Sequence, residues 1–485
     1  MKLSDLTEKL EIIEATADPE TEISEVCYDS RRAVPGSLFV AVSGFSTDGN
    51  KYIPSAMKKG AVAVITEKKP ELDIPYILVK NCRYALAMVS CAYFGYPADS
   101  MNIIGITGTS GKTTCSYLIK HMLETCLGAK VGLVGTNGNM IGDTFLHADR
   151  TTPESFELQK LFRQMADEGC TWVVMEVSSH SLVLDRVAGI HFKTAAYTNL
   201  SRDHLDFHSD MDDYAAAKSM LFQRCDAACI NADDEYSPVM ISAANCPVIT
   251  SSAKSDESVL VAKDVRYSEE GVRFAAVHDD GIAFAMLPIP GVFSVYNALT
   301  VISVGISIGI DLASAAGSLK SASGVKGRMQ KVPVNADYTV VIDYSHKPDA
   351  LEKVLRSLRP VTKGRLFCLF GCGGDRDREK RPIMGRIGAE LSDICIVTSD
   401  NPRHEQPMDI IDEILSGISV SERRNVKVIC DRIEAIRWTL DNAAAGDVIL
   451  LAGKGHEDYQ EIGDTKIHMD EYEIVMNYFQ GNSES

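Results

Sequence analysis

Asn102-Ile103-Ile104-Gly105-Ile106-Thr107-Gly108-Thr109-Ser110-Gly111-Lys112-Thr113-Thr114 decides how this chain of 485 residues is read. The run from Asn102 to Ile106 has the apolar character and length of a buried strand. Beyond the stretch, Tyr117, Leu118, His121 and Met122 recur at helical spacing. A strand, a glycine-rich turn, Lys-Thr and a helix in that order build an anion site. Backbone N–H groups and the helix N-terminus face a phosphate, Lys112 neutralises it, and a threonine hydroxyl is placed to hold Mg²⁺. The strict phosphate-loop pattern asks for glycine where this chain has Ile106, so the match is a variant with the required flanks. The reading is a nucleotide site for ATP formed by Gly108, Thr109, Ser110, Gly111, Lys112, Thr113 and Thr114, against the plainer one of a strand-to-helix turn.

The length implies about three domains. With 67 acidic and 49 basic residues the net charge is −18, which argues against nucleic acid or an anionic membrane as the main partner. An acidic protein that handles anionic substrates must gather its Arg and Lys locally. The first residues are charged and lack the apolar core of a signal segment, and the longest apolar stretch, 298–312, is broken by Ser and Gly. Thirteen cysteines lie scattered with no CxxC pair; the spacings of Cys225 to Cys229 and Cys368 to Cys372 have no second pair to complete a zinc site. The expectation is a cytoplasmic protein with reduced thiols and no membrane insertion, a monomer by default.

Residues 1–98 contain short strands near 38–42, 61–66 and 76–79, a helix over 85–93 and the breaker Gly95-Tyr96-Pro97. From 102 to about 325 apolar runs recur at 131–134, 172–177, 194–197 and 227–230, followed by a polar insert with a hairpin look at 251–286. After Gly324-Val325-Lys326-Gly327-Arg328, strands expected near 338–342, 365–370, 393–398, 426–430 and 447–451 alternate with helices, the pattern of a doubly wound sheet. The last residues, 481–485, read as disordered.

Ligands of open α/β sheets bind beyond the carboxyl ends of the strands. Four of the five C-terminal strands end in polar sequence: 343–348 (DYSHKP), 371–376 (GCGGDR), 400–407 (DNPRHEQP) and 453–457 (GKGHE). In the central region the strand at 172–176 delivers Glu176 to its end, where a carboxylate holds Mg²⁺ directly or through water, or is simply solvated. His204 and His208 are four apart, but no HExxH motif accompanies them, and a His pair on a short helix reads as structural or exposed. Lys218, on a helix capped near Asp210, reads by itself as an exposed lysine.

GTSGKTT at 108–114, Glu176, SSH at 178–180, NLSRDHLDFH at 199–208, YAAAK at 214–218, Asn297, GRM at 327–329, DYSHKPD at 343–349 and GGDRDREKRP at 373–382 occur in that order. Together, over essentially the whole chain, they resemble the Mur ligases, the ATP-dependent amide-forming enzymes of cell-wall precursor synthesis. Within the family the resemblance is strongest to members that add the third residue of the stem peptide. It implies an α/β protein of three domains: a uridine-nucleotide-binding α/β domain at 1–98, a central P-loop ATPase domain with a parallel sheet at 99–328, and a C-terminal doubly wound Rossmann-like domain at 329–485. The implied reaction joins meso-2,6-diaminopimelate to the D-glutamate of UDP-N-acetylmuramoyl-L-alanyl-D-glutamate through an acyl phosphate, with ATP and Mg²⁺. Lys112 and Mg²⁺ near Thr113 and Glu176 neutralise the transferred phosphoryl group. His204 matches a metal ligand of the family. Lys218 matches the lysine carried as a carbamate, which demands an amine whose pKa the site depresses. Asn297, Arg328 and Asp343 match adenosine and phosphate contacts, Ser30 a uridine-side contact, and Thr151, Thr152, Ser178 and Arg186 contacts to the muramoyl dipeptide. Two departures stand out: Asn50 and Lys347 occupy positions where the family often has His and Thr.

Asp400-Asn401-Pro402-Arg403 resembles the pattern of members that use diaminopimelate, whose far end carries a carboxylate that lysine lacks. The resemblance makes Arg403 the bidentate partner of that carboxylate, Asn401 a further hydrogen bond, Glu457 the partner of the distal ammonium and Arg376 a second carboxylate contact, with Asp400 and Gly453 completing the set. A lysine ligand would leave these groups unpaired, and discrimination of about 10⁴-fold follows. The alternatives are a lysine-adding or folylpolyglutamate-type ligase of the same build, and, from another class, a P-loop nucleotide switch.

Overall fold

The computed structural model describes residues 1–44, 47–148 and 150–481; of the tail expected to be disordered, 482–485 lie outside the described residues. The chain divides into two compact units. One comprises Met1–Lys112, Ile119–Thr250 and Ser303–Gly309; the other comprises Thr113–Leu118, Ser251–Ile302 and the chain from Ile310 onward. The architecture is mixed α/β, with separate N-terminal, central and C-terminal sheets.

In the first unit, a five-stranded sheet runs in the order Ile12–Ala15, Tyr76–Val79, Ala61–Thr66, Ser37–Val40, Glu25–Cys27, parallel except at its first strand. The helix Cys82–Tyr93 starts three residues before the expected 85, because the Asn81 side chain caps it by accepting from the N–H groups of Arg83 and Tyr84. Its apolar face (Ala85, Leu86, Val89) joins Leu38, Val40, Ala63 and Ile65 in one core.

The central strand Asn102–Thr107 of the same unit is flanked in parallel by Trp172–Glu176 and Thr194–Tyr197, with Val131–Gly135 and Ala228–Asn231 outside them. A sheet buried on both faces needs unbroken apolar strands, and these segments supply them. Glu176 is opposite Ile106, and Tyr197 is opposite Thr107, so three strands end at one edge. The register also explains the departure from the strict phosphate-loop motif. Ile106 is fully buried between its neighbours, a position where glycine would leave the middle strand without a side chain to pack.

In the second unit, the insert expected as a hairpin is a three-stranded antiparallel meander, Leu260–Ser268, Gly271–His278 and Gly281–Leu287. The C-terminal sheet orders Gln330–Val332, Thr339–Asp343, Val448–Ala452, Leu366–Phe370, Ile394–Val397, Val426–Val428, with only the first pair antiparallel. The four polar loops therefore follow four adjacent parallel strands. A small hairpin, Tyr459–Ile462 with Thr465–His468, lies outside that sheet. Among the described residues no helix is long and apolar enough to cross a membrane, and all thirteen cysteines are free thiols.

Candidate active site

The phosphate loop is stitched to the adjacent strand end. Thr109 N–H donates to the Asn199 carbonyl (2.8 Å), Ser110 N–H to Asn199 Oδ1 (3.2 Å), and Thr198 Oγ1 and Asn199 Nδ2 to the Ser110 carbonyl (2.7 and 3.0 Å). Gly108, at φ 145°, passes so close that a Cβ there would lie 1.9 Å from Thr198 Oγ1. Gly111, at φ 85°, starts the helix Lys112–Leu127, and glycine alone takes both conformations without strain. The Lys112 ammonium lies on the loop, donating to the carbonyls of Gly108 (2.9 Å) and Thr109 (3.0 Å). Thr113 and Thr114 are buried in the first turn of the helix.

Glu176 is fully buried at its strand end. Thr136 holds its carboxylate twice, from its N–H (2.9 Å) and its hydroxyl (3.0 Å). Gly135 makes room for it, since a Cβ there would lie 2.5 Å from Glu176 Oε1. Thr151, Thr152, Ser178 and Arg186 gather around the same strand end. The hydroxyls of Thr136 and Thr151 are 2.9 Å apart, Thr152 Oγ1 donates to the Glu176 carbonyl (2.8 Å) and accepts from Ser178 N–H (3.2 Å), and Arg186 donates to the Thr152 carbonyl (3.1 Å) while pairing with Glu154 (2.8 Å). Ser30 is buried beyond the strand Glu25–Cys27. Asn50 is committed locally, donating to Asp48 Oδ1 (2.6 Å) and accepting from Thr66 Oγ1 (2.7 Å).

Lys218 corrects the reading of it as an exposed lysine. Its helix, Met211–Ser219, is capped by Asp210 as expected, but the residue is 1% exposed. Its ammonium donates to the Gly108 carbonyl (2.9 Å) and lies 4.6 Å from the Tyr214 ring centroid. Burial, reinforced by the nearby Lys112 charge, drives its pKa well below the lysine range. The short helix expected for His204 and His208 is instead a single turn, with His208 N–H on the His204 carbonyl (2.9 Å) and His204 at φ 54°. His204 faces Asp203 (3.5 Å) and the His180 ring (5.0 Å), while His208 is buried against Ser179 (2.9 Å) and Asp213 (3.3 Å).

Among the described residues no cluster of three or more His, Cys, Asp or Glu is built to hold a metal. Mg²⁺ does not require one, because it is bound through one or two carboxylates together with substrate phosphates and water. The buried Glu176 carboxylate, fixed by Thr136 and cradled by Gly135, fits that chemistry.

In the second unit, Asn297 accepts a hydrogen bond from Cys115 Sγ (3.5 Å), three residues along the helix from Lys112. Asp343 accepts from the N–H groups of Met329 (2.8 Å) and Ser345 (2.9 Å), and the Arg328 guanidinium lies 4.9 Å from the Tyr344 ring. Burial raises the Asp343 carboxyl, with Arg328 opposing. Lys347 is exposed at the N-cap of the helix Pro348–Leu358.

Arg403, at φ 50°, pairs with Glu461 (2.9 Å) and donates to the Gly374 carbonyl (2.8 Å). Asn401 donates to Glu457 (2.9 Å). Lys454, completely buried, donates to Asn401 Oδ1 (2.8 Å) and Glu457 Oε2 (3.0 Å) and lies 3.5 Å from Asp400 Oδ1. Burial alone would raise Asp400, but Lys454 and Arg432 hold it below the usual carboxylate range. Gly453, at φ 108°, leaves space beside Asp400, and Arg376 is exposed, its guanidinium on the Asp375 carbonyl (3.1 Å).

Three family models match the chain: the Mur ligase family catalytic domain over 22–93, the Mur ligase middle domain over 106–305 and the Mur ligase glutamate ligase domain over 327–455. The chain belongs to the Mur ligase family. This Mur ligase is 47% identical, over 98% of both chains, to UDP-N-acetylmuramoyl-L-alanyl-D-glutamate–2,6-diaminopimelate ligase of Caldanaerobacter subterraneus subsp. tengcongensis, and 45% identical, again over 98% of both, to that of Clostridium tetani. A solved structure bearing that enzyme's title superposes over 100% of both chains with a TM-score of 0.76 and 32% identity. Acinetobacter baumannii MurF, 17% identical, shares the fold over 99% of this chain and 98% of its own, with a TM-score of 0.62.

Three residues that hold the candidate site residues in place in this Mur ligase carry no signal in the sequence. Thr136 follows a strand like any turn residue, and Glu461 lies in a hairpin without a motif. Lys454 stands inside the glycine-rich loop 453–457, but nothing in the sequence shows that it is buried.

Proposed function

We propose that this Mur ligase uses ATP to join meso-2,6-diaminopimelate to the D-glutamate of UDP-N-acetylmuramoyl-L-alanyl-D-glutamate through an acyl phosphate, in peptidoglycan precursor synthesis. The observation that carries the amino acid assignment is the array of Arg403, Asn401, Asp400 and Glu457 with both charge signs held in place at one loop cluster. It suits a ligand head that presents an ammonium and a carboxylate together. The relatives bearing the diaminopimelate ligase name support the same reading.

In this proposal the loop Gly108–Thr114, Asn297, Arg328 and Asp343 bind ATP. Ser30, Thr151, Thr152, Ser178 and Arg186 hold the nucleotide-linked dipeptide. Arg376, Asp400, Asn401, Arg403, Gly453 and Glu457 hold diaminopimelate. Thr113, Glu176, His204 and Lys218 as a carbamate would hold Mg²⁺, which would supply charge neutralisation for phosphoryl transfer. Lys112 stabilises the charge that develops on the transferred group. Burial and the Lys112 charge depress the Lys218 pKa, which favours loss of the proton that must leave before the amine can add carbon dioxide. The domain boundaries at 98 and 328, a cytoplasmic location and a monomeric state belong to the same proposal.

The test is ATP-dependent phosphate release with the UDP-linked dipeptide, with meso-diaminopimelate and L-lysine in parallel. Release requiring the dipeptide and diaminopimelate is the expected result. Equal turnover with lysine leaves a ligase of the lysine-adding kind. Release indifferent to the muramoyl substrate overturns the assignment.

A further inference from the structure

We propose that Lys454 is a positioning residue for amino acid selection: its buried ammonium fixes Asp400, Asn401 and Glu457 in the arrangement that receives the diaminopimelate head. The inference rests on the diaminopimelate reading of that loop cluster. An ammonium has three protons and no lone pair. Lys454 directs Nζ at three acceptors, Asn401 Oδ1 (2.8 Å), Glu457 Oε2 (3.0 Å) and Asp400 Oδ1 (3.5 Å). Its ammonium is buried and already directed at these three acceptors, so it acts through them.

Each partner passes the constraint on. Glu457 Oε2 also accepts from Asn401 Nδ2 (2.9 Å), which closes a triangle between two loops. Asn401 Oδ1 also accepts from the Glu461 N–H (3.0 Å), and Glu461 pairs with Arg403 (2.9 Å). The run Lys454, Asn401, Glu461, Arg403 therefore ties the carboxylate-binding arginine to a cation that no solvent reaches. Lys454 also lies between two carboxylates, Asp400 and Glu457, that would otherwise repel each other. An uncharged residue of similar length removes the common partner and lets the three side chains part.

The variants are Lys454→Met, without charge, and Lys454→Gln, which keeps an uncharged amide donor group. The expected result for Lys454→Met is a rise of about tenfold or more in the KM for diaminopimelate, the size of one lost charge-assisted hydrogen bond. The preference for diaminopimelate over lysine falls in proportion, Lys454→Gln lies between Met and wild type, and the KM values for ATP and the UDP-linked dipeptide stay within about twofold. Thermal unfolding in the presence of a non-hydrolysable ATP analogue checks that each variant is folded. An unchanged KM for diaminopimelate, an equal rise in all three KM values, or loss of fold in both variants overturns the inference. Wild-type enzyme that does not use diaminopimelate overturns the functional reading beneath it, and that control is run first.

Discussion

The Lys218 side-chain nitrogen lies 2.9 Å from the carbonyl oxygen of Gly108, the residue that starts the phosphate loop. A lysine from a helix more than a hundred residues away is thus built against the glycine-rich loop, out of water and close to the charge of Lys112.

This placement separates activity from stability. A Lys pKa depressed on folding means that the unfolded chain binds more protons, so the stability linked to Lys218 is present above the usual lysine pKa and is lost as pH falls toward the depressed value. In protein kept free of carbon dioxide, so that Lys218 stays unmodified, Lys218→Met removes that penalty. The expected outcome is a higher melting temperature at neutral pH, a shallower rise of stability between neutral and alkaline pH, and ligase activity reduced by about 10²-fold or more. Calorimetry over a pH series and phosphate release measure the two sides.

Glu176 offers a test of the metal reading. Thr136→Val keeps the N–H bond to the carboxylate and removes the hydroxyl bond. Loss of such an outer partner costs about 10- to 100-fold in metal affinity. The Mg²⁺ concentration that half-saturates activity should rise by that factor, and Gly135→Ala, whose Cβ meets the carboxylate at 2.5 Å, should do at least as much.

Arg403→Ala should weaken diaminopimelate use by about 10- to 100-fold, the range of one charged hydrogen-bond partner, with the KM for ATP unchanged. Steady-state kinetics with each substrate varied in turn decides it; a diaminopimelate KM that does not move removes Arg403 from the site.

The C-terminal loops predict an acid limit. Burial pushes the His346 pKa down to about 4, with the Tyr344 carbonyl opposing and Lys380 and Lys347 assisting. The stability this contributes is complete above the usual histidine value and disappears as pH falls toward 4. Urea unfolding at pH 7 and pH 4.5 should show a loss that His346→Phe reduces by up to about 3 kcal/mol.

The positions of most strands along the chain and the ends at which polar residues collect can be read from the sequence, because strand periodicity and loop polarity are local properties, whereas the order of strands within each sheet is set by pairing between distant segments. Gly108–Lys112 and Asp400–Arg403 belong to that class, since each places its chemistry within a few residues. Lys218 does not. Four alanine-rich helical residues precede it, and only tertiary packing decides that it is buried rather than solvated. The turn at His204 differs from the expected short helix for a related reason: the spacing of four to His208 suits a helix, but the backbone at His204 is left-handed and closes a lone turn. Thr136 and Glu461 were invisible because their partners, Glu176 and Arg403, lie 40 and 58 residues distant in sequence.

Arg403 occupies a left-handed backbone position. Its neighbour Pro402 is so close to Gly374 that a Cβ there would lie 1.9 Å from the Pro402 carbonyl oxygen, and Glu461 arrives from a separate hairpin. Three segments are shaped around one side chain. Swapping that side chain alone therefore leaves a loop, a glycine and a hairpin still shaped for an arginine, and a redesign of this corner would need all three transplanted together.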